Sequence, residues 1–375
     1  MQTDINLKEV QDIQGAKIAA VGIGGGGSNM IAHLINNGVH DAIKLFAANT
    51  DIQHLSNCPA PHKIKLGEKL TKGLGAGMIP ERGRESAEES YDIIRESLEG
   101  LDIVFVSAGL GGGTGTGAAP VVAKAAQEVG ALTIAVVTKP FRMEGNKRSR
   151  IAEEGLRELR KHCDGIIVIP NEKLLTIIKP DTGLKESFQE VDAILARAVN
   201  GISNVILKYG DNDINTDFAD LKTVMSNKGL ALMGIGEFQG DNAATEAVKK
   251  AIDSPLFDNL SINGAKGILL SFEINPGYPL YQISQAMDLI HEVADEDAHI
   301  IFGTYTSEDI PKDLVRLTIV ATGFEKEVIN NAEQPSQKTK DNKIFQNIHL
   351  VKISGGENFE MEDLDKPTWA RKRQD

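Results

Sequence analysis

The chain has little sulfur to build with. Its two cysteines, Cys58 and Cys163, belong to no Cys-x-x-Cys or Cys/His cluster. This argues against a disulfide framework or a zinc finger and for two reduced thiols. No run of 18 or more apolar residues is present to span a bilayer. The stretch Met1 to Val10 is polar and mixed in charge, with no basic region leading into an apolar one. No signal peptide is therefore expected, and the protein is expected to be cytosolic, meeting a membrane only through a partner. Basic charge is also scarce: 40 Lys and Arg face 53 Asp and Glu, a net charge of −13. Duplex nucleic acid is held by cations that neutralise phosphates, so it is not expected as a partner. No internal repeat occurs, and no Gly-x-x-x-x-Gly-Lys-Ser/Thr string, which excludes a P-loop NTPase.

What is there is enough for a large core: 375 residues, 41% of them hydrophobic. Over the first half, apolar runs alternate with helical stretches. Strands are predicted at Lys17–Val21, Ile43–Ala48, Asp102–Ser107, Leu132–Val137 and Gly165–Ile169. Helices are predicted at Asn29–Asn37, Glu85–Leu98, Ala118–Val129 and Glu144–His162. Strands without strict alternation, separated by helices, predict a parallel sheet covered on both faces. A long helix follows at Lys185–Lys208, with Phe188, Val191, Leu195, Ala198, Ile202 and Val205 at three- and four-residue spacing. Ile194, Val199 and Ile206 widen its stripe, as in a helix buried between two layers. From about Asp220 to Phe324 the pattern is α+β. Helices are predicted at Asp220–Asn227, Asp241–Asp253 and Pro279–Ala294, and strands at Leu230–Phe238, Gly267–Ile274, His299–Thr304 and Val315–Thr322.

The expected fold is therefore α/β: a parallel-sheet nucleotide-binding domain joined by a long central helix to a smaller α+β domain, with a disordered C-terminal tail. The expected boundaries are a flexible N-terminus at 1–14, the nucleotide domain at 15–184, the central helix at 185–209 and the α+β domain at 210–325. A linker follows at 326–364 and a tail peptide at 365–375. Residues 330–342 are too polar to fold alone, and Phe345–Ile353 shows some apolar alternation.

Two glycine loops carry the chemistry. Gly22-Ile-Gly24-Gly25-Gly26-Gly27-Ser28-Asn29 follows the first strand and opens a helix, placing five glycines in eight positions. Glycines here let backbone approach a pyrophosphate that faces the helix N-terminus. Asp51, 24 residues beyond Gly27, also suits the ribose-binding acid of a dinucleotide enzyme. The second loop, Gly109-Leu-Gly111-Gly112-Gly113-Thr114-Gly115-Thr116-Gly117, again puts amides and hydroxyls at a helix start. A dinucleotide fold does not require it. Neither loop contains lysine, so phosphate must be held by amides, threonine hydroxyls and a cation, expected to be magnesium. On residue chemistry alone, Glu144 and Arg148 read as an i, i+4 pair, Asp192 as part of a solvated helix face and Asp217 as a helix cap.

The string Gly111-Gly-Gly-Thr-Gly-Thr-Gly117 resembles the signature loop of the tubulin/FtsZ superfamily, most closely its bacterial FtsZ branch of cell-division GTPases. Asn49-Thr-Asp51, Gly73-Leu-Gly-Ala-Gly77, Pro140 to Arg148, Ile169-Pro-Asn171 and Asn215-Thr-Asp-Phe-Ala-Asp220 match in the same order, so that the resemblance spans about residues 15 to 325. It implies GTP or GDP as ligand, with Gly25, Gly26, Gly27, Ser28, Asn29 and Gly111 to Gly117 around the phosphates. Glu144, Arg148 and Asn171 would hold the ribose region. Phe188 would stack on the base, and Asp192 would accept hydrogen bonds from guanine N1 and the 2-amino group.

The resemblance also implies that Asp217 and Asp220, supported by Asn215, polarise the attacking water on the next subunit of a head-to-tail filament. About 20 residues of helix, or roughly 30 Å, between Asp192 and the Asn215 segment would keep these carboxylates from their own chain's phosphates. The filament would form the division ring at mid-cell. Asp365 to Arg373 resembles the tail that docks on membrane-tethering adaptors such as FtsA, with Trp369 where that family usually has Phe. Two other classes remain: a nicotinamide-dependent oxidoreductase, using the first loop alone, and a non-hydrolysing structural homologue.

Overall fold

The computed structural model describes residues 15–178, 181–207, 214, 217–226, 229–257, 262 and 264–324. The N-terminal segment 1–14, Lys208, Asn215, the linker and the Trp369 tail lie outside the described residues.

Six strands run parallel: β1 (Ile18–Ile23), β2 (Ile43–Asn49), β3 (His62–Lys65), β4 (Ile103–Gly109), β5 (Leu132–Lys139) and β6 (Gly165–Pro170). Their spatial order is β3-β2-β1-β4-β5-β6, the doubly wound order in which ligands collect beyond the carboxyl ends of the strands. β1, β4 and β5 are buried on both faces, which is why their sequences are continuous apolar runs.

The helices of this half are α1 (Gly24–Asn37), α2 (Ile52–Asn57), α3 (Glu68–Thr71), α4 (Pro80–Glu89), α5 (Tyr91–Leu98), α6 (Thr114–Glu128), α7 (Asn146–Leu159) and α8 (Asn171–Leu174). Met30, Ile31 and Leu34 of α1 pack on one sheet face with the central helix α9 (Leu184–Leu207). The residues of α5, α6 and α7 cover the other face. In α9 the predicted stripe from Val191 to Ile206 is buried throughout, between the parallel sheet and the strands that follow.

The second half adds α10 (Phe218–Met225), β7 (Gly229–Gln239), α11 (Ala243–Ile252), β8 (Gly267–Ile274), α12 (Leu280–Val293), β9 (His299–Thr306) and β10 (Leu314–Thr322). The central helix is not the sole link between the halves. Gly229 to Ala231 of β7 pair in parallel with Gly165 to Ile167 of β6, and the rest of β7 pairs antiparallel with β10. The strand order therefore runs on through β7-β10-β8-β9.

Several element boundaries differ from the sequence reading, each for a local reason. α1 and α6 begin inside the glycine runs, five and four residues earlier than predicted. The predicted helix Glu85–Leu98 is two helices, α4 and α5, parted at Ser90. The one predicted at Glu144–His162 is a 3-10 turn, Arg142–Glu144, then α7, broken at Gly145 with φ +95°. β3 and the short helices α2, α3 and α8 have too few residues to show a period.

Candidate functional site

α1 and α6 start directly after β1 and β4, adjacent strands of the sheet. Neither helix has a side-chain cap or an acidic residue in its first turn. Two other helices, α2 and α10, do carry side-chain caps. Asp51 Oδ1 accepts from the Gln53 and His54 amides of α2 at 2.9 and 3.1 Å, and Asp217 Oδ1 accepts from Asp220 N of α10 at 2.9 Å. The two uncapped termini also touch. A Cβ on Gly24 would lie 2.9 Å from Gly115 N, and one on Gly115 would lie 2.4 Å from Gly109 O. Only glycine allows this backbone-to-backbone approach. The result is two helix N-termini side by side, each carrying about half a positive charge and free amides, a cradle for a polyphosphate.

Gly25, Gly26 and Asn29 are exposed on this cradle, whereas Gly27 and Ser28 are buried. A Cβ on Gly27 would meet Ser107 O at 2.3 Å, so this glycine seats α1 on β4. The second loop divides in the same way. Thr114 Oγ1 lies 2.6 Å from Thr50 Oγ1, and Gly112 faces open space. Thr116 is buried, and its hydroxyl accepts the Gly111 amide at 2.8 Å, pinning the loop from behind. Gly113 packs on Ala76 and Ile79, and Gly117 lies under the Pro80 carbonyl of α4. Thr50 was assigned no individual role from sequence, although it stands in the Asn49-Thr-Asp51 string at the carboxyl end of β2.

A chain of contacts leads from the cradle to α9. Gly111, at φ +100°, sits against Pro140 and the Arg148 backbone. Arg148 pairs with Glu144, whose other carboxylate oxygen accepts Phe141 N at 2.9 Å. The pair does not lie within one helix, as sequence spacing suggested; Glu144 closes the 3-10 turn and Arg148 opens α7. Buried Phe141 meets Phe188 edge-on, with ring centroids 5.6 Å apart, leaving Phe188 41% exposed with a ring face to offer. Asp192 lies one turn further along α9, on the same face. Burial pushes its carboxyl up to about 7. Asn171, which opens α8 directly after β6, is buried, and its Oδ1 accepts no hydrogen bond among the described residues.

These features suit a guanine nucleotide: amides for phosphates, an aromatic face for the base and a carboxylate for its two donors. Among the described residues no group of three or more His, Cys, Asp or Glu could hold a metal ion. Magnesium still fits, because it keeps several waters and takes further ligands from phosphates, with the half-buried Thr114 hydroxyl beside the helix start.

Asp217 and Asp220 are exposed and belong elsewhere. Ile214, three residues before Asp217, is tied to β9, where Thr304 N donates to Ile214 O at 3.1 Å and Thr304 Oγ1 accepts Ile214 N at 2.9 Å. Asp51, the ribose acid of a dinucleotide enzyme, is instead committed to capping α2.

Comparison with known proteins agrees with this geometry. Residues 17–179 match the GTPase domain of the tubulin/FtsZ family, and residues 229–325 match the C-terminal domain of the FtsZ family. A cell division protein FtsZ from Helicobacter pylori strain J99 is 51% identical over 99% of this chain and 96% of its own. A solved FtsZ dimer from M. jannaschii superposes with TM-score 0.78 at 45% identity, covering 83% of this chain and 89% of that one. CetZ1 from Haloferax volcanii, solved as a GDP-bound monomer, shares the fold at TM-score 0.70 and 22% identity, over 85% of this chain and 98% of its own.

Proposed function

The chain belongs to the tubulin/FtsZ family of GTPases, in its branch of FtsZ cell division proteins, and on that premise we propose that it is a polymerising GTPase whose active site two subunits complete. GTP and GDP binding and cell division come with the family. The trans arrangement is our reading, and one observation carries it: α10, which bears Asp217 and Asp220, packs on β8 and β9 of the C-terminal half, while the cradle stands at the carboxyl ends of β1 and β4.

In this reading Gly25, Gly26, Asn29, Gly112, Thr114 and the free amides of α1 and α6 hold the phosphates. Phe188 stacks on guanine, and Asp192 selects it over adenine. Glu144, Arg148 and Asn171 face the ribose. Magnesium, when bound, supplies positive charge to the phosphate oxygens. Asp217 and Asp220 of the next subunit, with Asn215, orient the attacking water. Phosphoryl transfer depends mostly on positioning and charge stabilisation, so hydrolysis waits for assembly. A head-to-tail contact is heterologous and does not close, which makes a filament. We place that filament in the division ring at mid-cell. Its tail, with Trp369 in a segment similar to the family's adaptor-docking peptide, tethers it to adaptors such as FtsA.

The test measures GTP and ATP hydrolysis with light scattering across protein concentrations. GTP turnover per subunit should rise with concentration as scattering appears, and ATP should support neither. Turnover independent of concentration would overturn the shared site. Trp369→Ala should abolish co-pelleting with membrane-bound adaptor; pelleting at wild-type affinity would refute the docking role.

A further inference from the structure

The glycine loops carry no lysine, yet an ionisable side chain from α2 reaches the first of them. His54 stands in the first turn of α2, its amide held by the Asp51 cap at 3.1 Å. Its ring orientation follows from a buried neighbour. Asn49 Oδ1 accepts Asp51 N at 3.2 Å, which fixes the direction of the Asn49 amide. The Asn49 NH₂ therefore turns toward His54 Nδ1, 3.5 Å away. A donor facing Nδ1 makes that nitrogen the acceptor, and the proton of the neutral ring then resides on Nε2.

Nε2 points at the cradle. A Cβ built on Gly25 would lie 3.9 Å from it and would meet no other heavy atom within 4 Å. Gly25 is exposed in the first turn of α1, at one of the two glycine-opened helix starts. No hydrogen bond among the described residues uses Nε2. The neighbouring hydroxyls of Thr50 and Thr114 join the same strand end to the second loop.

We propose that His54 is a phosphate-binding residue, its Nε2–H donating to an oxygen of the nucleotide's phosphate chain over Gly25. It adds a ring N–H donor to the backbone amides, the Thr114 hydroxyl and Asn29 already placed at the cradle. Asn49 is its positioning residue. The proposal rests on the GTPase reading of the cradle.

The test uses the full chain with GTP, GDP and guanosine as probes. His54→Phe keeps a ring without the donor, His54→Ala removes both, and His54→Gln places an amide N–H near the position of Nε2–H. His54→Phe and His54→Ala should lose about tenfold or more in GTP and GDP affinity, the scale of one hydrogen bond to a charged group. Guanosine affinity should be unchanged, and His54→Gln should stay within a few-fold of wild type. In the ¹⁵N-histidine spectrum, the His54 Nε2 signal should shift with GDP and not with guanosine. Wild-type GTP affinity in His54→Phe, or an equal loss for guanosine and GTP, would overturn the proposal. A wild-type chain that binds no GTP would instead overturn the GTPase reading itself.

Discussion

In the role proposed for it, Asp192 must be ionised to accept both guanine donors, yet burial favours its protonated form, holding its carboxyl at about 7 against an ordinary 3.8. Two consequences follow. In the free protein a raised carboxyl contributes stability that is fully present below the unfolded value, near 4, and is lost as pH rises through about 7. Guanine binding has the opposite sense. GTP affinity should fall as pH drops below about 7, and binding near pH 6.5 should release a proton. Calorimetry in buffers of different ionisation enthalpy measures that release, and Asp192→Asn should abolish it.

The two α10 carboxylates separate by a similar argument. Asp220 makes no hydrogen bond through its side chain among the described residues, while Asp217 caps its own helix. Asp220→Ala should bind GTP at wild-type affinity and lose turnover. Asp217→Ala should lose turnover and also about 1 kcal/mol of stability. Asp217→Ser keeps a capping oxygen, so it should restore the melting temperature and not the turnover.

The helices that open in glycine runs divide their glycines between packing and ligand. A Cβ on Gly117 would sit 1.9 Å from the Pro80 carbonyl, where α4 lies across α6. Gly117→Ala must push the two helices apart, at a cost of about 1–3 kcal/mol as overpacking. Gly112 meets nothing within 4 Å, so Gly112→Ala should melt like wild type, and in its proposed role at the phosphate site the added methyl should weaken GTP binding. Thermal melts paired with nucleotide titrations check both, and a reversal of the two effects would refute the division.

Assembly needs apolar surface that a lone subunit leaves wet. Leu74 is 86% exposed on the loop that continues to Ala76 and Ile79 behind Gly113, and Ile79 and Met78 are exposed beside it. An interface core draws on such residues. Leu74→Glu should leave GTP affinity unchanged and raise the concentration at which scattering and turnover begin. Assembly at the wild-type threshold would remove this loop from the contact.

Much of this was legible in the chain itself. The parallel sheet and the buried central helix follow from apolar periodicity, which is local and survives in one dimension. The two glycine loops and the Asp-bearing segment are contiguous strings, so their place at strand or helix ends could be read directly. What only the tertiary structure decided is direction. Gly117 turns to Pro80, Thr116 turns inward to Gly111, Gly24 meets Gly115, and His54 faces Gly25. Most of these contacts join residues tens of positions apart, and no period or composition records them. They arise because two helix starts are brought together on adjacent strands, where the absence of a side chain at one position decides which neighbour can approach.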